Sequence, residues 1–180
     1  MLFNIEKCKV MHFGHHNQEM DYTLDNRVLQ KVHEERDLGV IISVDMKALL
    51  QCVKAYSTAN RILGVINRSI VYKSGNILLN LYKSLVRPHL EYCTVAWSPH
   101  YFKDKELLER VHKRFTRMIP ELKQLAYADR LDILKLWTLE ERRVCADLIE
   151  VYKIVHGLSA IPFSSFFLNL RTVVVREITP

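Results

Sequence analysis

The chain has 180 residues, 49% hydrophobic and 26% charged, which favours a single domain and excludes a mostly disordered chain. Only 5 Gly and 5 Pro argue against an all-β sandwich with its many turns and favour helices. The formal net charge is +6, from 26 Lys+Arg against 20 Asp+Glu.

The first 45 residues read as β-rich. Lys9 to Phe13 alternates apolar and polar, and Gly14 ends the run. Tyr22-Thr23-Leu24, a turn at Asp25-Asn26, and Arg27 to Gln30 predict a hairpin. Leu38 to Ile42 is a short apolar run that predicts a buried strand.

After Asp45 the period becomes helical. Leu49, Val53, Tyr56, Leu63, Ile66 and Ile70 predict one helix. Ser74 is placed to cap a second, which Pro88 is expected to end. His89 to Trp97 reads as a largely buried helix stopping at Ser98-Pro99. Leu107, Leu108, Val111, Phe115, Met118 and Ile119 mark another, closed by Pro120. Leu131, Leu134 and Leu136 suggest a short helix. Thr138-Leu139-Glu140-Glu141 is a capping box. It opens a long helix with Val144, Leu148, Val151, Tyr152 and Val155 expected inward and Gly157 as its C-terminal cap. Phe163 to Phe167 reads as irregular and Thr172 to Val175 as an extended tail. The expected fold is α+β: a small β piece over 1–45, a helical module over 46–157 and a tail over 158–180.

Charge is unevenly spread. From Met46 to Leu90 there is no acid, while Lys47, Lys54, Arg61, Arg68, Lys73, Lys83 and Arg87 supply +7, so the rest sums to −1. Lys54, Arg61 and Arg68 are seven apart and share a helical face. Arg110, Lys113, Arg114 and Arg117 form a second cluster, with Glu106 and Glu109 near enough for intrahelical pairing. Such stretches attract polyanions, nucleic acid above all. A solvated helix surface is the competing reading.

Several functions find no support. No apolar run is long enough to span a membrane. An acid and a base stand where a signal peptide needs its apolar core, which predicts an intracellular protein, nuclear or cytoplasmic. The four Cys are widely spaced, so reduced thiols are expected, with Cys52, Cys93 and Cys145 in the core. No metal-ligand spacing, phosphate-binding Gly loop or nucleophile elbow occurs. Trp97 and Trp137 read as core aromatics.

Several strings resemble one family. Phe3 to Gly14 resembles the segment after the catalytic Asp pair of non-LTR retrotransposon reverse transcriptases, closest to the jockey-like mobile elements. Glu35 to Ser43 is similar to their primer-grip block. Leu81 to Tyr92 and Ala96 to Pro99 are similar to the thumb. Leu139 to Arg143 with Asp147 to Ile154 matches the helix that follows. These blocks are collinear from about residue 3 to 157, and the tail beyond Ser159 departs from the pattern.

The resemblance implies the end of a polymerase palm, its thumb and a helical connector. It implies that fingers, endonuclease and the Mg²⁺-binding Asp residues lie upstream of Met1. The chain is then a genomic remnant, or a gene model begun at an internal Met. No catalytic residue or cofactor is expected within it, and no DNA synthesis by the chain alone. It implies a primer-grip-like role for Leu38 and Gly39 and a pyrophosphate-side lysine at Lys7 or Lys9. The implied partner is an RNA–DNA or DNA duplex, gripped weakly and without sequence preference by Lys54, Arg61, Arg68, Lys83, Arg87, Arg110, Lys113, Arg114 and Arg117. Tyr127-Ala128-Asp129-Arg130 resembles a polymerase Tyr-x-Asp-Asp with Arg130 in the second Asp position, but its spacing is helical. The alternative is an inert helical interaction module that self-associates through truncated palm strands.

Overall fold

The computed structural model describes residues 4–14, 16–160 and 162–167. The expected tail at Thr172 to Val175 lies outside them. The architecture is α+β, and the helices hold the core.

The N-terminal part is thinly built. A 3₁₀ turn at Ile5–Lys7 leads into β1 (Lys9–Val10), which pairs in parallel with β4 (Gln30–Lys31). The strand expected to reach Phe13 therefore stops at Val10. Between them β2 (Thr23–Leu24) and β3 (Arg27–Val28) form the expected hairpin. Asp25 and Asn26 both take positive φ, as a two-residue hairpin turn requires.

The next hairpin differs from the expected strand. β5 (Glu34–Asp37) pairs antiparallel with β6 (Val40–Ser43), and Leu38-Gly39 is the turn between them rather than strand. Leu38 has φ 45° and Gly39 φ 90°, so the strand starts two residues later than its apolar run suggests. This hairpin is fastened to the helices. Val40 enters the core, and the Ile41 N–H donates to Gln51 Oε1 at 3.0 Å.

Helix α1 (Leu49–Ser69) buries Cys52, Ala55, Ala59, Leu63 and Ile66. Its small residues let α5 (Phe102–Arg117) approach closely, with Leu108, Val111 and Phe115 buried in return. α2 (Gly75–Leu81) starts after Ser74, whose side chain makes no cap bond. It continues through a wide π turn, Tyr82–Val86, into α3 (Arg87–Glu91). Pro88 therefore does not end the helix. Its missing N–H and its ring against the carbonyl of Ser84 are accommodated by the wide turn, where the Arg87 N–H reaches back to Tyr82 O.

The expected helix over His89 to Trp97 breaks. Cys93 is left-handed (φ 53°), and α4 (Thr94–Trp97) starts afresh. Tyr92 and Val95 are exposed while Trp97 is buried, its Nε1–H donating to Tyr92 O. Pro120 closes α5 as expected and opens a 3₁₀ turn. α6 (Tyr127–Leu134) carries the Tyr127 to Arg130 string on a helix. Trp137 is exposed, contrary to expectation.

The capping box at Thr138 and Glu141 forms and starts α7 (Leu139–Val155). Gly157, at φ 67°, ends it: the Gly157 N–H donates to Ile154 O and the Leu158 N–H to Lys153 O. The apolar stripe expected inward points out. Val144, Leu148, Val151, Tyr152 and Val155 are all exposed, and α7 buries Leu139, Arg143 and Ile154 instead. α8 (Phe163–Phe167) forms a short helix where irregular chain was expected. Among the described residues no helix is long and apolar enough to cross a membrane.

Candidate nucleic-acid interface

The cations of the acid-free stretch divide into bound and free. Lys54, Arg61 and Arg68 are exposed along one side of α1 and pair with no acid among the described residues. Their seven-residue spacing turns only ~20° per step, so the three charges form one row. α1 can hold that row because its opposite side is fully committed to Leu63 and its neighbours.

α5 adds a second row. Arg110 and Arg117 are exposed without an acidic partner among the described residues. Arg114 donates to Asn60 Oδ1 at 2.9 Å and so fixes the register of α5 on α1. Lys113 is occupied: it pairs with Glu106 at 3.0 Å and lies 5.5 Å from the Tyr127 ring. The expected pairing of Glu106 within the helix is thus real, seven residues apart. Glu109 instead turns inward.

Two other candidates differ. Lys83 is half-buried on the π turn and unpaired among the described residues. Arg87 faces Glu91 at 3.6 Å, and Glu91 also accepts from Arg142 Nε and Nη2. That cluster ties α3 to α7 and leaves Arg87 less available to a phosphate. The Arg142 guanidinium is raised by its hydrogen bond to Glu91.

The Leu38-Gly39 turn is presented outward. Leu38 is 84% exposed at the hairpin tip. Tyr92 braces it from the α3–α4 corner, its hydroxyl donating to Leu38 O at 2.8 Å. A Cβ at Gly39 would meet the Tyr92 ring at 3.4 Å, a second reason for glycine there. Lys7 is exposed on its 3₁₀ turn, whereas Lys9 is bound to Glu35 and links the N-terminal segment to β5. That hydrogen bond holds the Glu35 carboxyl below its usual range.

Behind this surface lies a polar cluster that periodicity did not reveal. Glu109 accepts from the Tyr127 hydroxyl and from the Leu139 N–H at 3.0 Å, and it sits 3.6 Å from His112 Nδ1. Burial opposes its ionisation, but the neighbouring His112 and the bonds from Tyr127 and Leu139 outweigh burial and hold the carboxyl below its usual range. Tyr82 stacks on Phe115 at 4.0 Å and on His112 at 5.3 Å. The one sequence signal was weak: Glu109 faces the core where a helix with Leu108 and Val111 should be apolar. Only Cys52 is a core thiol. Burial pushes it up to about 12, while Cys93 is exposed and Cys145 half-buried. Among the described residues no three His, Cys, Asp or Glu side chains gather as a metal site.

No protein-family model matches the chain, and no curated protein or solved structure is significantly similar to it.

Proposed function

We propose that this chain is a thumb-like module that grips the sugar-phosphate backbone of an RNA–DNA or DNA duplex, related to the reverse transcriptases of non-LTR retrotransposons. The observation that carries the reading is the Lys54, Arg61 and Arg68 row, three cations with no acidic partner among the described residues, on one face of a helix inside 45 acid-free residues. Arg110, Arg114 and Arg117 extend the cationic surface, and the exposed Leu38-Gly39 turn is the contact offered to a primer strand. Such contacts position a duplex without reading its sequence. In that family nucleotidyl transfer rests on Mg²⁺ held by Asp residues outside the matching blocks, and the proposal assigns no catalytic role to the residues of this chain.

Fluorescence anisotropy of a labelled RNA–DNA hybrid, titrated from ~50 to ~200 mM salt, tests the reading. Binding should weaken steeply with salt. Changing Lys54, Arg61 and Arg68 to Gln should lower the log–log slope by roughly 0.9 for each phosphate no longer neutralised. A folded chain that ignores the hybrid at low salt rejects the reading. Nucleotide incorporation by the purified chain with Mg²⁺ would contradict that assignment.

The outward stripe on α7 favours a second reading, an interaction module without a nucleic-acid role. Salt separates them, because apolar association holds or strengthens where phosphate binding collapses.

A further inference from the structure

An open groove of about 1140 Å³ lies between the β5–β6 hairpin and helices α4 and α7. Its apolar lining includes Val40, Ile42, Val95, Trp97, Val151 and Ile154. Four acids line it as well, Asp45, Asp104, Asp147 and Glu150, against a single lysine, Lys47. In a chain of net charge +6 this is a reversal of sign. Asp45 pairs with Lys47 at 2.9 Å, and Glu150 with Lys153 at 3.3 Å. Asp104 and Asp147 make no ion pair and no side-chain hydrogen bond with a described residue.

Asp104 is the telling residue. It is only 3% exposed, at the start of α5, yet it lines the groove. Its carboxylate keeps its opening to solvent through the groove, so a cation that enters the groove meets it directly.

We propose that this groove binds a cationic amphipathic peptide segment of a partner protein. A Lys or Arg of the segment meets Asp104 and Asp147, and its apolar residues lie along the α7 wall. The other ligand classes fit poorly. The acids repel nucleic acid and anionic lipid surfaces. A bare cation has no use for apolar walls. The α7 wall continues from Val151 into the exposed Leu148, Tyr152 and Val155, a strip long enough for a helix laid in a groove. Long basic side chains bury their stems on such walls while the charged head reaches an acid. The inference is independent of duplex binding, which uses the opposite charge on α1.

The test is anisotropy of a labelled Leu/Lys amphipathic helical peptide on the intact chain, beside a peptide with Gln in place of each Lys. The Lys peptide should bind roughly tenfold tighter than the Gln peptide, and Asp104→Asn should remove most of that difference. Asp147→Asn sits on a half-buried α7 position and keeps the test meaningful if Asp104→Asn does not fold by circular dichroism. Equal binding of both peptides, indifference to Asp147→Asn, or no binding overturns the proposal. A peptide of residues 168–180 that displaces the Lys probe reassigns the groove to the chain's own tail and overturns it too. So does a dimer of the chain that the probe dissociates, because a second copy is then the occupant.

Discussion

Helices α1 and α7 have the same sequence signature and opposite fates. Both repeat apolar residues at helical spacing over 21 and 17 residues. In α1 the second half of the repeat faces inward, with Leu63 and Ile66 buried, while Leu49 and Val53 are exposed and Cys52, Ala55 and Ala59 carry the buried face there. In α7 the repeat of Val144, Leu148, Val151, Tyr152 and Val155 faces solvent, and the buried residues include Arg143. Periodicity reports that a helix has an apolar side. It does not report whether the same chain supplies the cover.

The comparison can be broken by paired truncations. Leu63→Ala removes a side chain packed on all sides and should cost about 2–5 kcal/mol, the range for a core leucine. Leu148→Ala on α7, where the residue is 64% exposed, should stay within about 0.5 kcal/mol. Chemical denaturation of both variants decides it. Comparable destabilisation would mean that the α7 stripe is covered in solution.

The next effect concerns what holds α7 in place. Glu109 on α5 accepts the first backbone N–H of α7, from Leu139, and the Tyr127 hydroxyl. Glu109→Gln should cost about 1–3 kcal/mol at neutral pH, the range for a disrupted buried hydrogen-bonded group. The pH dependence has a definite sign. The folded-state carboxyl titrates below its ordinary 4.5. Its contribution is therefore complete above that pH and drains away as pH falls through the lower folded value. Urea midpoints measured across the acid range should fall less steeply for Glu109→Gln than for the parent chain. Identical acid limbs would show that Glu109 contributes nothing to the acid response.

Much of the fold is legible in the sequence, and the failures have physical causes. The Asp25-Asn26 turn, the Thr138 capping box, the Gly157 cap and the Pro120 stop are readable because each rests on backbone chemistry local to a few residues. Pro88 misleads because a wide turn absorbs it, and nothing near it in sequence announces a π turn. The cationic row on α1 is readable because seven-residue spacing fixes a shared face. The capture of Lys9 by Glu35 is less so, whereas Arg87 and Glu91 stand four apart on one helix and their pairing is local. Lys9 and Glu35 are 26 residues apart, and only the fold brings them together. The acidic groove escapes for the same reason: Asp45, Asp104 and Asp147 come from three separate segments.

The smallest perturbation compares the two helices through their own thiols. Cys52 lies on α1, has no exposed surface, and burial pushes its thiol up to about 12. Cys145 is half-buried on α7, and Cys93 is exposed at the α3–α4 corner. Alkylation proceeds through the thiolate and needs access. Under native conditions Cys93 should react first, Cys145 more slowly, and Cys52 only on a timescale set by opening of the fold. Mass-spectrometric labelling with iodoacetamide reads all three in one sample. Adding the Leu/Lys peptide should then slow Cys93, which lines the groove the peptide occupies, and leave Cys52 at its baseline. Slowing of Cys52 with Cys93 unchanged would place the ligand's effect on global stability rather than on the groove.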